Sequence, residues 1–252
     1  MGESRPADLG TTIAGVGLPF AAMNAAGAWS STAAELRALA RSESGAIVLR
    51  TTTLHPFVHP QYRTLQNPGY DKLLPLVREL TGVARCPIVA SVAGTTADEY
   101  AILAQAFAEA GAGLVEANLA DPWVAATLAP WDDAAARRHL FARLAGTAVR
   151  VAIRLPERIG CGYRALGEDL RVSGLGVIVI RNDFAGLERF LLEAGRDFEV
   201  IALGGVRSGY DVSRALAKGA RAVQLDAALL AEGPAIFARL AREMRIARGE
   251  RS

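Results

Sequence analysis

The chain is poor in the residue types that most readily announce a chemistry. Its 252 residues include two cysteines, Cys86 and Cys161, far apart and beside no histidine pair. Two reduced thiols are therefore expected, with neither a disulfide framework nor a cysteine-based metal site. Of three histidines, His55 and His59 lie four apart, but Pro56 and Pro60 keep that stretch from placing them on one helix face. No metal pair is expected there. Aromatic residues make up 6% of the chain, and the formal net charge is only +2. That balance gives no sign of the basic surface that nucleic-acid binding requires. No apolar run approaches the roughly 20 residues of a membrane span. The opening MGESRPADLG is polar and lacks the apolar core of a signal peptide. These absences lead to the expectation of a soluble, cytoplasmic protein acting on a small molecule, with neither nucleic acid nor membrane as partner.

What the chain does have is apolar residues, 51% of the total, distributed in a regular alternation. Short strand patterns are expected within Leu18–Met23, Ala46–Leu49, Pro87–Val92, Leu114–Ala117, Val149–Leu155, Val177–Ile180, Val200–Leu203 and Ala222–Leu225. Helix patterns fall between them. Ser31 or Thr32 is placed to cap the first, and Asp98-Glu99 and Gly111 bound the one at Thr96–Ala110. The stretch with Pro56, Pro60, Asn67, Pro68 and Gly69 carries too many breakers for regular structure. The charged tail, Arg242 to Ser252, is expected to fray. Strands that are continuously apolar are buried on both faces, as in a parallel sheet covered by helices. Eight of them predict an α/β fold of the (β/α)8 TIM-barrel type, with residues 1–252 as a single domain; a doubly wound open sheet is the alternative.

Chemistry in such barrels sits at the C-terminal ends of the strands. Read in order, those positions are Asn24, Arg50, Ser91, Asn118 with Asp121, Arg154, Asn182 with Asp183, Gly204-Gly205 with Arg207, and Asp226. Asparagines present a carbonyl and an amide NH2 together, which suits the edge of a planar heterocycle. Two arginines can hold carboxylate or phosphate. Paired glycines let backbone N–H groups approach an anion with no Cβ in the way. Six or more such positions around one rim point to a ligand site.

Several stretches, in order, resemble the dihydroorotate dehydrogenase family of flavin-dependent barrels, especially its cytosolic branch. Phe20-Ala21-Ala22-Met23-Asn24-Ala25-Ala26-Gly27 resembles PFMNASG, and Leu49-Arg50-Thr51-Thr52-Thr53-Leu54 resembles TKTTTL. Gln66 to Asp71 resembles GLPNxGxD, Ala117 to Pro122 resembles LNLSCPN, and Ile153-Arg154-Leu155-Pro156 resembles VKLPP. Leu203 to Asp211 resembles GGIxSGxDA, and Ala231 to Phe237 resembles KEGPAIF. The resemblance implies an FMN contacted by Ala22, Asn24, Gly27, Arg50, Ser91, Asn118, Arg154, Gly204, Gly205, Asp226 and Ala227. It also implies a planar substrate held by Asn67, Asn118, Asn182 and Arg50, and a homodimer as the expected assembly.

The departures are as informative. The family's cysteine or serine base becomes Asp121, preceded by Ala120, and Arg50 joins it as a catalytic candidate. A carboxylate can serve as general base, and a loop-capping aspartate is the alternative. Two family lysines become Arg50 and Arg154, a planar fork in place of a compact ammonium. The family's QIGTA becomes Gln224-Leu225-Asp226-Ala227-Ala228, which adds a carboxylate and removes a hydroxyl at the expected phosphate. FMN binding is thus expected to be weakened or lost unless Asp226 points away or pairs with Arg207. A long excursion after the sixth strand is missing. Trp123 and Trp131 are candidates for packing or for stacking on a substrate. The residues are compatible with three readings. One is an FMN oxidoreductase acting on a small planar or anionic ring. The second is a flavin-independent lyase or isomerase using Asp121, Arg50 and Arg154. The third is a non-catalytic binding protein.

Overall fold

The structure is a computed structural model that describes residues 9–58, 66–121, 133–181 and 185–249. Eight parallel strands form one sheet: β3 (Ala22–Asn24), β4 (Ile47–Val48), β7 (Ile88–Val92), β8 (Leu114–Asn118), β9 (Val151–Arg154), β10 (Val177–Arg181), β11 (Glu199–Leu203) and β12 (Ala220–Leu225). Their order is β3-β12-β11-β10-β9-β8-β7-β4, so the two outermost strands of the ladder are consecutive in sequence. The sheet curls until these two meet, giving a nearly closed barrel. Helices wrap it: α1 (Ala33–Ala40), α2 (Leu74–Val83), α3 (Ala97–Glu109), α4 (Ala134–Ala145), α5 (Gly162–Ser173), α6 (Ala185–Glu193), α7 (Gly209–Ala217), α8 (Ala227–Glu232) and α9 (Ala235–Ala247). None of the described helices is long and apolar enough to cross a membrane.

The helix starts follow local chemistry. Thr32, rather than Ser31, caps α1 in a capping box with Glu35. Thr96 caps α3 by accepting from the Glu99 N–H. Ser208 and Asp211 make a second capping box at α7.

Side-chain alternation along the strands sorts the core into two populations. Val115, Ala117, Ile153, Ile178 and Val223 face outward to helix residues such as Leu103, Phe141 and Leu187. Val89, Leu114, Ala152, Val177, Val179, Ile201 and Ala222 face inward and fill the lower barrel. A short antiparallel hairpin, β1 (Thr11–Ile13) with β2 (Val16–Leu18), adds Ile13 and Leu18 to this inner cluster. Its turn uses positive φ at Ala14 and Gly15. The Glu199 carboxylate accepts from the Ala14 N–H at 2.6 Å, and Arg150 Nε donates to the Ala14 carbonyl at 3.0 Å.

The seam between β3 and β4 is closed by a side chain. Asn24 Oδ1 accepts from the Val48 N–H at 2.8 Å, and Asn24 Nδ2 donates to the Val48 carbonyl at 2.7 Å. The amide therefore stands in for a strand partner. Below it, the Gly45 N–H donates to the Ala22 carbonyl at 2.8 Å. Gly45 has to be glycine, because a Cβ there would lie 1.7 Å from the Phe20 carbonyl oxygen.

Three details differ from the sequence expectation. The apolar run Leu18–Met23 is split, its first residue ending the hairpin and Ala22 starting the barrel, with Pro19 between. The proline-rich stretch contains a two-residue antiparallel pairing, β5 (Phe57–Val58) with β6 (Gln66–Asn67). The charged tail does not fray at Arg242: α9 continues to Ala247, anchored by buried Leu240, Ala241 and Met244.

Candidate active site at the strand ends

The upper barrel is polar where the lower barrel is apolar. Ser91, Glu116, Arg154 and Gln224 occupy the same inward phase as the apolar residues beneath them. Glu116 is fully buried, yet its carboxylate is well served. Oε1 accepts from Ser91 Oγ at 3.1 Å, Oε2 accepts from Gln224 Nε2 at 2.7 Å, and Arg154 Nη1 lies 3.7 Å from Oε1.

From this floor a chain of hydrogen bonds rises to the rim. Asn118 Nδ2 donates to Thr51 Oγ1 at 2.9 Å, and Thr51 Oγ1 lies 3.0 Å from Ser91 Oγ. A carboxylate only accepts, so the Ser91 proton points at Glu116. Thr51 must then donate to Ser91 and accept from Asn118. Every donor in the row is oriented towards the buried carboxylate. Asn67 joins at the same residue, its Nδ2 donating to the Thr51 carbonyl at 3.0 Å. Thr51 is thus the hub that gathers Asn67, Asn118 and Ser91.

The two asparagines are held by their own loops. The Gly69 N–H donates to Asn67 Oδ1 at 3.1 Å, and the Ala120 N–H donates to Asn118 Oδ1 at 3.0 Å. Each Nδ2 has a second hydrogen beyond the bond to Thr51. Asp121 follows Asn118 by three residues and is half-buried. The loop that carries it is tied down from α3, where the fully buried Tyr100 donates its hydroxyl to the Asn118 carbonyl at 3.0 Å. Burial pushes the Tyr100 hydroxyl pKa far up, and the Asp121 and Glu99 carboxylates add to that. Tyr100 therefore remains a neutral donor. Arg50 is half-buried just after β4.

Other positions implied by the resemblance fall elsewhere. Besides its two bonds to Val48, the Asn24 amide donates to the carbonyls of Ala28 at 3.1 Å and Ala25 at 3.2 Å, so it is spent on the seam. Ala22 is fully buried on the outward phase. Ser91 is likewise fully buried and lies under the rim, in the network. Gly27 is exposed, with φ +100° and its N–H given to Ser30 Oγ at 2.8 Å. His55 is exposed. Asn182, Asp183, His59, Trp123 and Trp131 lie outside the described residues. Three residues, 182–184, separate β10 from α6, so the chain after the sixth barrel strand is short. Among the described residues no group of three His, Cys, Asp or Glu is placed to hold a metal ion.

Sequence reasoning passed over Glu116 and Gln224. A signal was available, since each is a polar residue inside an otherwise apolar strand, two residues before the strand-end position on the same face.

A distinct feature lies at the last two βα turns. Gly204 and Gly205 both take positive φ, +77° and +71°, and the Gly204 N–H donates to the Gln224 carbonyl at 2.8 Å. Asp226 caps α8, Oδ1 accepting from the Ala227 N–H at 2.6 Å. Its other oxygen leans over Gly204, where a Cβ would come within 3.1 Å of Oδ2. Among the described residues no cation pairs with Asp226, and the Arg207 backbone N–H is engaged by Asp211 at 3.0 Å.

No protein-family model matches the chain. Among curated proteins, the catalytic subunit of dihydroorotate dehydrogenase B (NAD(+)) from Methanothermobacter thermautotrophicus is 26% identical over 93% of this chain and 91% of its own. A Streptococcus equi protein that carries the name dihydroorotate dehydrogenase A (fumarate) is 28% identical over 88% of this chain and 87% of its own. The chain is a divergent relative of the dihydroorotate dehydrogenases. Solved structures agree on the fold. DHODH from Eimeria tenella superposes with TM-scores of 0.79 in complex with ferulenol and 0.80 in a ligand-free form, each at 14% identity. These alignments cover 96% and 95% of this chain and 86% and 87% of theirs.

The residues present meet a flavin unequally. At the floor, Arg154 Nε and Gln224 Oε1 are buried and have no hydrogen-bond partner. One is a donor and the other an acceptor, which suits the imide edge of a flavin or pyrimidine ring. At the glycine turns the fit fails, because the Asp226 carboxylate stands at the turns where the resemblance implies an FMN phosphate. Two like charges about 4 Å apart repel by about 4 kcal/mol at an intermediate effective dielectric, before salt screening reduces it.

Proposed function

We propose that this chain is a dehydrogenase-type barrel acting on a small planar ring bearing carbonyl or carboxylate groups. The observation that carries the reading is the orphaned pair, Arg154 Nε and Gln224 Oε1, buried in the floor of the site on the two side chains that flank Glu116. A buried unpaired donor and acceptor each cost about 1–3 kcal/mol, which a complementary ligand edge recovers. Asn67 and Asn118 offer their remaining amide hydrogens to ring carbonyls, and Arg50 and Arg154 supply positive charge for an anionic group. Asp121 takes the proton from the ring carbon, and its loop is kept in place by the Tyr100 hydroxyl. When bound, a flavin ring supplies the two-electron acceptor that a dehydrogenation requires.

A second reading has a specific observation behind it. The Asp226 carboxylate at the phosphate end favours a flavin-free barrel in which Asp121, Arg50 and Arg154 carry out lyase or isomerase chemistry. Titration of purified protein with free flavins separates the two. Binding with a perturbed visible flavin spectrum supports the dehydrogenase reading, whereas no uptake of any flavin refutes it and leaves the acid/base one. Asp121→Asn is expected to lower turnover by roughly 10²–10⁴-fold, as for other general bases. Unchanged turnover in that variant would remove Asp121 from the mechanism.

A further inference from the structure

In barrels of this kind, the loops after the last two strands commonly form a phosphate site, with glycine backbone and a helix start facing the anion. Here the chain supplies its own anion at that place. Asp226 Oδ1 already takes the Ala227 N–H, the Gly204 N–H is turned to Gln224, and Asp226 Oδ2 covers the face of Gly204. The carboxylate carries no compensating cation among the described residues, so a phosphate arriving there meets a fixed negative charge. A hydroxyl does not, because it can donate to Oδ2.

We infer that this end of the site takes a phosphate-free flavin, one whose side chain ends in a hydroxyl as in riboflavin, and discriminates against FMN. The inference rests on the flavin reading above and adds the chemical class of the tail. It joins two independent observations: an unpartnered buried donor and acceptor at the ring end, and a filled anion position at the tail end. The same turn geometry that would cradle a phosphate is kept, and its charge preference is reversed by one side chain.

The test is a pair of binding titrations on the full chain, freed of small molecules. Flavin fluorescence is followed for riboflavin and for FMN, with inorganic phosphate as competitor. Riboflavin is expected to bind at least about tenfold more tightly than FMN, with the gap narrowing as salt is raised. Inorganic phosphate is expected to compete with neither. Asp226→Asn keeps the side-chain shape and removes the charge, and should shrink the riboflavin preference by about tenfold or more. Asp226→Gly opens the turn fully and should act in the same direction. FMN binding as tightly as riboflavin to the unaltered chain overturns the inference while leaving the flavin reading intact. Binding of neither flavin overturns both. If the variants do not fold, as judged by circular dichroism, the ratio measured on the unaltered chain decides by itself.

Discussion

Replacing Asn24 by alanine tests the idea that a single amide closes this barrel. Val48 is fully buried, and both its N–H and its carbonyl are paired with the Asn24 side chain. Alanine leaves both without a partner and out of reach of water. Each unsatisfied buried group costs about 1–3 kcal/mol, so the loss is expected near 4 kcal/mol. The carbonyls of Ala25 and Ala28 lose a donor as well, which pushes the figure upward. For a chain of about this length each kcal/mol moves the melting temperature by roughly 2–4 °C, giving a fall of about 8–16 °C. Thermal melts and urea titrations followed by circular dichroism read this directly. Asn24→Asp should be at least as damaging, because it keeps the acceptor for the Val48 N–H but turns a second oxygen towards the Val48 carbonyl. Gly45→Ala attacks the same seam sterically, placing a Cβ 1.7 Å from the Phe20 carbonyl oxygen, and should cost over about 3 kcal/mol. A loss below about 1 kcal/mol for Asn24→Ala would refute the reasoning, since the seam would then hold without its amide.

The buried network and a buried ion pair yield two further expectations. Glu116→Gln replaces one of the two acceptor oxygens by a donor and strips Arg154 of its counter-charge, at a cost of about 2–4 kcal/mol. Adding Gln224→Glu exchanges the two groups and should recover part of that loss; strictly additive losses in the double variant would contradict a direct pairing. Between α4 and α5, the buried Asp169 carboxylate accepts from Arg137 Nε at 2.7 Å and from Arg138 Nε at 2.6 Å. Burial pushes the Asp169 pKa up, but the Arg138 and Arg137 hydrogen bonds outweigh it and hold the carboxyl below its usual range. Its stabilising contribution is therefore complete above its unfolded pKa of about 4 and is lost as pH falls through the lower folded value. Asp169→Asn should cost about 3–5 kcal/mol at neutral pH and flatten the acid side of the stability profile. An acid limb identical to that of the unaltered chain would refute this.

Much of the architecture was determined by the sequence itself, because its causes are local. A run such as Val177–Ile180 is apolar at every position, so both faces must be covered, and a strand inside a ring of helices satisfies that. Thr96 with Glu99 and Ser208 with Asp211 start helices through contacts three residues long. The motif at Leu203–Gly205 announces a positive-φ turn, and both glycines have it. Even the charge conflict at Asp226 was legible, since a carboxylate in place of a small residue needs no structure to be noticed.

What only the tertiary structure decided depends on residues far apart in the chain. Asn24 reads as a rim ligand because it ends a strand, yet the closure of β3 on β4 brings Val48 to it and consumes the amide. Glu116 reads as an oddity in an apolar strand until curling of the sheet sets it against Gln224, 108 residues away. The same closure links Asn118 to Thr51 across 67 residues and makes a threonine of no special promise the centre of the site. Asp226 required a direction as well as an identity, and only the turn geometry shows it over Gly204 with no cation beside it among the described residues. Local propensity and alternation specify which elements form and which faces are buried. Which polar groups meet inside the barrel is settled by its closure, and that is a property of the whole sheet.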